Sequence, residues 1–191
     1  WAIKQEIETF SFVDHWMNMK ERFRLEEHYV FPNNILVIDE KAKDIAISEK
    51  IKPERLKIVS NPYHDYLKAW NPSETKEDFF LNLGLNDLNK KIILYAPDSV
   101  SNNDWVKLYG VDESTVLEDI LDTFTELKHN EFYFIVQAHP NQNINLLQKI
   151  LDKDQFKTIP KQIVYNIDVP LLLYYSDLVI GQFSNILIEA S

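Results

Sequence analysis

The sequence predicts an α/β fold with parallel sheets, and three observations carry that expectation. Apolar runs of strand length alternate with helical patterns along the whole chain. Runs such as ILVID (35–39) and FYFIVQA (132–138) are apolar on both faces, as in strands covered by helices on two sides. Between the runs stand helix caps and turn pairs, such as Asn61-Pro62 and Gly84, that punctuate one element from the next.

Taken in order, ETFSFV (8–13) reads as a strand and HWMNMKERFRLEEH (15–28) as a helix with Asp14 at its N-cap. ILVID is a strand, EKAKDIAISEK (40–50) a helix, and LKIVS (56–60) a strand stopped by Asn61-Pro62. SETKEDFFLNLG (73–84) is helical: Ser73 suits the N-cap, Glu74 and Glu77 the first turns, and Gly84 the residue past the end. KIILYAP (91–97) is a strand ended by proline, followed by a loop to about Glu113 and an amphipathic helix over 115–129. FYFIVQA precedes a helix over 143–153, QIVYN (162–166) is a strand, and VPLLLYYS (169–176) is a short helix with Pro170 at its first position. DLVIG (177–181) is the last strand, and SNILIEA (184–190) opens a helix. The turn at 60–63 and the polar stretch 70–78 mark the best domain boundary.

Composition bounds what such a chain does. Its 191 residues are 45% hydrophobic and 26% charged, so it can bury a core in one domain or two small ones. A net charge of -10 argues against duplex nucleic acid or an anionic membrane surface as main partner, since both need a basic footprint. The absence of cysteine excludes disulfides, thiolate zinc sites and a cysteine nucleophile, and it fits a reducing, cytoplasmic setting. No apolar run reaches the roughly 20 residues of a membrane span. The chain opens at Trp1 and closes at Ser191 in helical patterns, which reads as a piece of a longer protein. Only 3 glycines occur, and neither glycine-rich phosphate signature is present. A phosphate site here must therefore use helix N-termini and side chains.

In open parallel sheets, ligands bind beyond the carboxyl ends of the strands. That rule selects the loops at Asp14-His15, Asn61-Pro62, Ala96 to Ser101 (with Ser99), His139-Pro140 and Gly181 to Ser184. Gly181 permits a tight turn or a close ligand, and Ser184 suits a helix cap. Glu189 lies five residues past Ser184, about 7.5 Å along a helix axis. That is roughly the span from a diphosphate at the helix start to the ribose of the same nucleotide. The alternative is a solvated or salt-bridged surface acid. His139 can donate to phosphate or titrate near neutrality, against the plainer reading of a hydrogen-bonded loop histidine. Asp14 is a plain N-cap or, with His15, an acid/base group facing a cleft between two domains. Arg22, seven residues after His15, falls on the same helix face and could bind an anion there, or could pair with a nearby glutamate.

Taken together, these stretches resemble a known family. SDLVIGQFSNILIEAS is similar to the donor-nucleotide motif of GT-B glycosyltransferases and the related UDP-N-acetylglucosamine 2-epimerases, with Ser184 at the diphosphate position and Glu189 at the ribose position. FIVQAHPNQ resembles the strand-His-Pro element of the same domain, found also in CDP-glycerol glycerophosphotransferases. FVDHWMNMKERF, ILVIDEKA and KIVSNPYHD look like the end of the N-terminal domain and the crossing into the second in surface-polysaccharide enzymes, and KIILYAPDS like the second domain's first strand and loop. Ser60 departs from the pattern, where a glycine often precedes Asn-Pro, and so does the single glycine before Ser184.

The resemblance implies Rossmann-like units of GT-B type. Residues 1–62 would be a remnant of the N-terminal domain and crossing, and 63–191 a truncated C-terminal donor-nucleotide domain. It implies transfer from a nucleotide-activated sugar to a saccharide or lipid-linked acceptor in surface polysaccharide synthesis, with no metal or other cofactor. His139, Gly181, Ser184, Glu189, Ser99 and Arg22 would hold the donor, and Asp14 or His15 would act as base. A sugar-nucleotide 2-epimerase of the same fold is the alternative, and a non-enzymatic α/β ligand-binding domain is a third reading. No nucleic acid partner and no membrane span are expected. Peripheral membrane association of the longer protein and self-association stay open.

Overall fold

The computed structural model describes residues 5–98, 106, 110–127, 131–182 and 185–190. The chain divides into two compact units, one ending at Ala69 and one starting at Trp70.

The first unit is built on three parallel strands: β1 (Phe10–Val13), β4 (Asn34–Val37) and β5 (Leu56–Ile58), in the order β1-β4-β5. Side chains alternate across a strand. Val13, Ile35, Val37 and Leu56 therefore share the face that packs against Ala42 and Ala46 of helix α1 (Glu40–Ser48). The other face carries Phe10 and Phe12, 56% and 43% exposed, so this sheet is covered on one side only among the described residues. Helix α1 starts at Asp39, whose Oδ1 accepts the Ala42 N–H at 2.7 Å.

Residues 15–28 do not form the expected helix. The segment turns at Asn18, which holds a left-handed φ of 55°. It then makes one 3₁₀ turn at Glu21–Phe23 and an antiparallel ribbon of β2 (Arg24–Leu25) and β3 (His28–Tyr29). Three long-range interactions override its helical pattern. The Trp16 indole N–H donates to Asp39 Oδ2 at 2.9 Å, the Lys20 N–H donates to Glu49 Oε2 at 2.7 Å, and Met19 is fully buried in the core. Asp14 accordingly caps no helix.

Helix α2 (Pro62–Ala69) follows, at a place where the sequence suggests only a turn. Proline at a helix start leaves no N–H unsatisfied, and Asn61 Oδ1 accepts the Tyr63 N–H at 3.1 Å. Ser60, just before, sits at φ 61°, a backbone position that favours glycine.

The second unit has four parallel strands: β6 (Lys91–Ala96), β7 (Phe132–Gln137), β8 (Lys161–Val164) and β9 (Leu178–Gly181), in the order β8-β7-β6-β9. Among the described residues its longer helices are α3 (Lys76–Asn82), α4 (Glu113–Leu127), α5 (Ile144–Leu151), α6 (Val169–Tyr175) and α7 (Ile186–Glu189). Tyr95, Phe134 and Val136 face Leu117 and Leu121 of α4 and Leu147 and Ile150 of α5. Ile92, Leu94, Ala96, Ile135 and Val164 face Phe79 and Phe80 of α3, Leu171 and Leu172 of α6 and Ile186 of α7. Both faces are covered, as the doubly apolar runs require, and each fully buried large side chain contributes about 1.5–3 kcal/mol.

Two boundary details differ from expectation. The cap of α3 is Thr75 rather than Ser73, its Oγ1 accepting the Asp78 N–H at 3.2 Å. Pro170 is the second residue of α6 because Asp168 is the cap. Gly84 ends α3 at φ 70°, and the Leu85 N–H reaches back to the Phe80 carbonyl at 2.8 Å.

Candidate functional site

The strand order of the second unit creates one place where the chain reverses its direction of travel across the sheet. From β6 the chain moves to β7 and then β8 on one side. It then returns past β6 to lay down β9 on the other side. Open parallel sheets bind ligands at such a switch point, beyond the carboxyl ends of the diverging strands. Here those ends are Ala96 and Gly181, which lie directly opposite each other in the ladder. Strand β7 flanks β6 on the other side, with Tyr95 opposite Val136. Two strand spacings, roughly 10 Å, therefore separate the His139 loop from the Gly181 loop along one rim.

His139 is exposed on that rim, and its immediate contacts fix its chemistry. Its Nδ1 accepts the Asn141 N–H at 3.2 Å, an arrangement that in a neutral ring places the proton on Nε2 and makes that nitrogen a donor. His15, half-buried beyond the end of β1 in the first unit, has the same arrangement, with Nδ1 accepting the Met17 N–H at 3.1 Å. Asp14 beside it is exposed. Arg22 lies in the 3₁₀ turn, its Nε 3.5 Å from the Met17 carbonyl. The helix face on which spacing would have placed Arg22 above His15 does not exist.

Gly181 is explained by packing. A Cβ there would meet the Leu187 side chain of α7 at 3.1 Å, so the missing side chain lets the last helix lie close over the strand end. Glu189, on α7, is half-buried. Ser99 and Ser184 lie outside the described residues.

The helix starts differ in how they are used. Asp112 Oδ1 accepts the Ser114 and Thr115 N–H groups at 2.9 Å at the head of α4, Asn143 caps α5, and Asp168 caps α6. Asn185, ahead of α7, makes no side-chain cap.

Three further polar groups at this end of the sheet are not readable from motifs. Gln142 is buried, with Oε1 accepting the His139 N–H at 2.8 Å and Nε2 without a partner among the described residues. Gln182, just past Gly181, has a buried Oε1 with no partner among the described residues. Glu113, 3% exposed, accepts the buried Tyr95 hydroxyl on its backbone carbonyl at 3.3 Å. Burial, followed by the nearby Glu113 carboxylate, pushes the Tyr95 phenol well above its ordinary range. The only sequence signal for Gln142 was its place in HPNQ, just ahead of the helix expected over 143–153.

A cavity of about 340 Å³ lies elsewhere, along the outer strand β8, lined among others by Glu74, Phe79, Asn82, Ile163 and Asp168. None of its lining residues belongs to β6, β7 or β9. Among the described residues no group of three or more His, Asp or Glu is placed to hold a metal ion, and no helix is long and apolar enough to cross a membrane.

Comparison with solved structures gives this geometry a fold. UDP-GlcNAc 2-epimerase from Neisseria meningitidis, solved with UDP-GlcNAc bound, matches 97% of this chain and 50% of its own at a TM-score of 0.66 and 16% identity. The chain has the GT-B fold. The wall teichoic acid polymerase TagF matches 83% of this chain and 37% of its own, with a TM-score of 0.52 and 21% identity. HepE from Anabaena, in complex with UDP-glucose, matches 99% of this chain and 52% of its own at a TM-score of 0.60 and 12% identity. The GT-B chain described here thus spans between about a third and a half of the length of the structures it matches. No family model matches it, and neither does any curated protein.

Proposed function

We propose that this chain is the nucleotide-binding part of a GT-B glycosyltransferase that uses a nucleotide-activated sugar in surface polysaccharide synthesis. One observation supports the reading most: the switch point of the second sheet lies at the ends of β6 and β9, the His139 loop follows the neighbouring β7, and α7 with the half-buried Glu189 follows β9. In this reading, His139 and the Ser184 loop hold the diphosphate, and the Glu189 carboxylate accepts from the ribose hydroxyls. Ser99, beyond β6, adds a further donor. Stabilising the departing diphosphate is then electrostatic, by donors fixed before the reaction starts. Asp14 or His15 takes the proton of the acceptor hydroxyl, and Arg22 supplies a positive charge for an anionic group. No metal or other cofactor enters this scheme.

Calorimetry with UDP, CDP, GDP and CMP tests it. One diphosphate nucleotide should bind, and Glu189→Ala should weaken it at least tenfold, the equivalent of about 1.4 kcal/mol. Binding of none of the four, or an unchanged affinity in Glu189→Ala, overturns the reading. A 2-epimerase is the second reading. It is favoured by the epimerase likenesses at TM-scores of 0.66 and 0.64, against 0.50 and 0.52 for a glycosyltransferase from Rickettsia africae and TagF. Incubation with a UDP-sugar and no acceptor separates the two: epimerised or hydrolysed product selects the epimerase.

A further inference from the structure

We propose that Gln142 is a positioning residue that holds His139 in the form that donates from Nε2. The proposal deepens the nucleotide-site reading above and rests on it for the identity of the ligand. Between His139 and Gln142 the chain closes on itself through three hydrogen bonds. The His139 N–H donates to Gln142 Oε1 at 2.8 Å. The Gln142 N–H returns to the His139 carbonyl at 2.9 Å. Inside this loop the Asn141 N–H reaches His139 Nδ1 at 3.2 Å. The third bond selects the tautomer, because a ring nitrogen that accepts a backbone N–H carries no proton in the neutral imidazole. The first two hold the turn in which that bond forms.

The Gln142 amide orientation follows from its partner. A backbone N–H needs an acceptor, so Oε1 faces His139 and Nε2 faces the other way. Nε2 is buried there with no partner among the described residues. An unpaired buried donor is unfavourable by about 1–3 kcal/mol. An apolar residue of the same length would avoid that penalty, so the amide's contribution lies in its oxygen and in the turn the oxygen closes. The contrast with His15 supports this. His15 has the same Nδ1 contact, but the residue three places on, Asn18, adopts a left-handed φ of 55°, and no side-chain carbonyl closes that loop among the described residues. The consequence for His139 is a defined Nε2–H donor on an exposed side chain, suited to an anionic phosphate oxygen.

The experiment compares the unmodified chain with Gln142→Leu and Gln142→Glu. Long-range ¹⁵N–¹H correlation on histidine-labelled protein reads the tautomer, with His139→Gln identifying the signals, and UDP titration reads the site. The unmodified chain should show one His139 form, protonated at Nε2 alone. Gln142→Leu should show averaged nitrogen shifts from two exchanging tautomers and bind UDP about tenfold more weakly, while its melting temperature moves little because the unpaired donor is also removed. Gln142→Glu keeps an acceptor for the His139 N–H and should restore the single tautomer, whatever its added charge does to UDP. An unchanged His139 spectrum in Gln142→Leu overturns the proposal, as does loss of the single tautomer in Gln142→Glu. If the unmodified chain binds no UDP while the tautomer responds as stated, the nucleotide reading fails and the role of Gln142 stands.

Discussion

Asp177 ties together the amino ends of β6 and β9, at the edge of the sheet opposite the candidate site, and removing its side chain has a calculable effect. The residue stands just before β9. Its Oδ2 accepts the Ile92 N–H at 2.9 Å and its Oδ1 accepts from Lys91 Nζ at 2.7 Å, while its own N–H donates to the Ile92 carbonyl at 2.8 Å. Ile92 is fully buried, so Asp177→Ala takes a charged acceptor from a backbone donor that water reaches poorly. Such bonds are worth about 1.5–3 kcal/mol. The Lys91 side chain is 69% exposed, so its ion pair adds at most about 1 kcal/mol. The expected loss is therefore about 2–3 kcal/mol, or roughly 5–10 °C in melting temperature for a chain of this size. Asp177→Asn, which keeps an acceptor for Ile92, should cost about 1 kcal/mol, and Lys91→Ala less than that. Urea denaturation followed by circular dichroism measures all three. If Lys91→Ala proves as damaging as Asp177→Ala, the backbone bond is not the main contribution and the reasoning fails. The pH dependence has a defined sign. Burial raises the Asp177 carboxyl, but the bonds from Lys91 and Ile92 outweigh it and hold the group below the ordinary aspartate range. Its contribution is complete above the unfolded value of about 3.9 and is lost as pH falls through the folded value, so the gap between wild type and Asp177→Asn should close below about pH 4.

Two other outcomes are expected. Gly181→Ala should destabilise by about 1 kcal/mol through the new contact with Leu187, and Leu187→Ala in the same chain should cancel that increment, so additive effects in a double-mutant cycle would refute the packing account. Because the Tyr95 phenol is raised, its contribution is present below about pH 10 and lost as pH rises toward the folded value; in a rapid jump to about pH 11.5, native wild type and Tyr95→Phe should show equal phenolate absorbance, and a smaller signal in the variant would show that Tyr95 ionises in the fold.

How much of the fold was legible varied by segment. Strands β6 and β7 could be read because runs of apolar residues buried on both faces have few other uses. Helix α5 could be read from the helical pattern over 143–153. Residues 15–28 could not. Their spacing suits a helix, and what defeats it is a pair of bonds to Asp39 and Glu49, 23 and 29 residues away from their donors Trp16 and Lys20. The expected pairing of Arg22 with His15 fell with that helix. Helix α2 was missed because Asn61-Pro62 serves equally as a turn and as a cap with proline at the first helical position. At the candidate site the sequence pointed to His139, Gly181 and Glu189 through their positions after strands. Gln142 escaped because its importance lies in a hydrogen bond and an unpaired amide nitrogen, neither of which has a sequence pattern.

The sequence by itself determined which segments are strands and helices in most of this chain, because side-chain burial imposes a period on the residues and caps mark the ends. It also determined that β6 and β7 are covered on both faces, since their inner positions 92–96 and 132–136 are all apolar. Only the tertiary structure decided the order β8-β7-β6-β9. Backbone ladders join any two strands with the same N–H and C=O groups, so the sequence pattern of a strand does not name its neighbour. The choice is made where the helices between strands find room to pack, and that choice brings the loops at residues 139 and 181 to one rim.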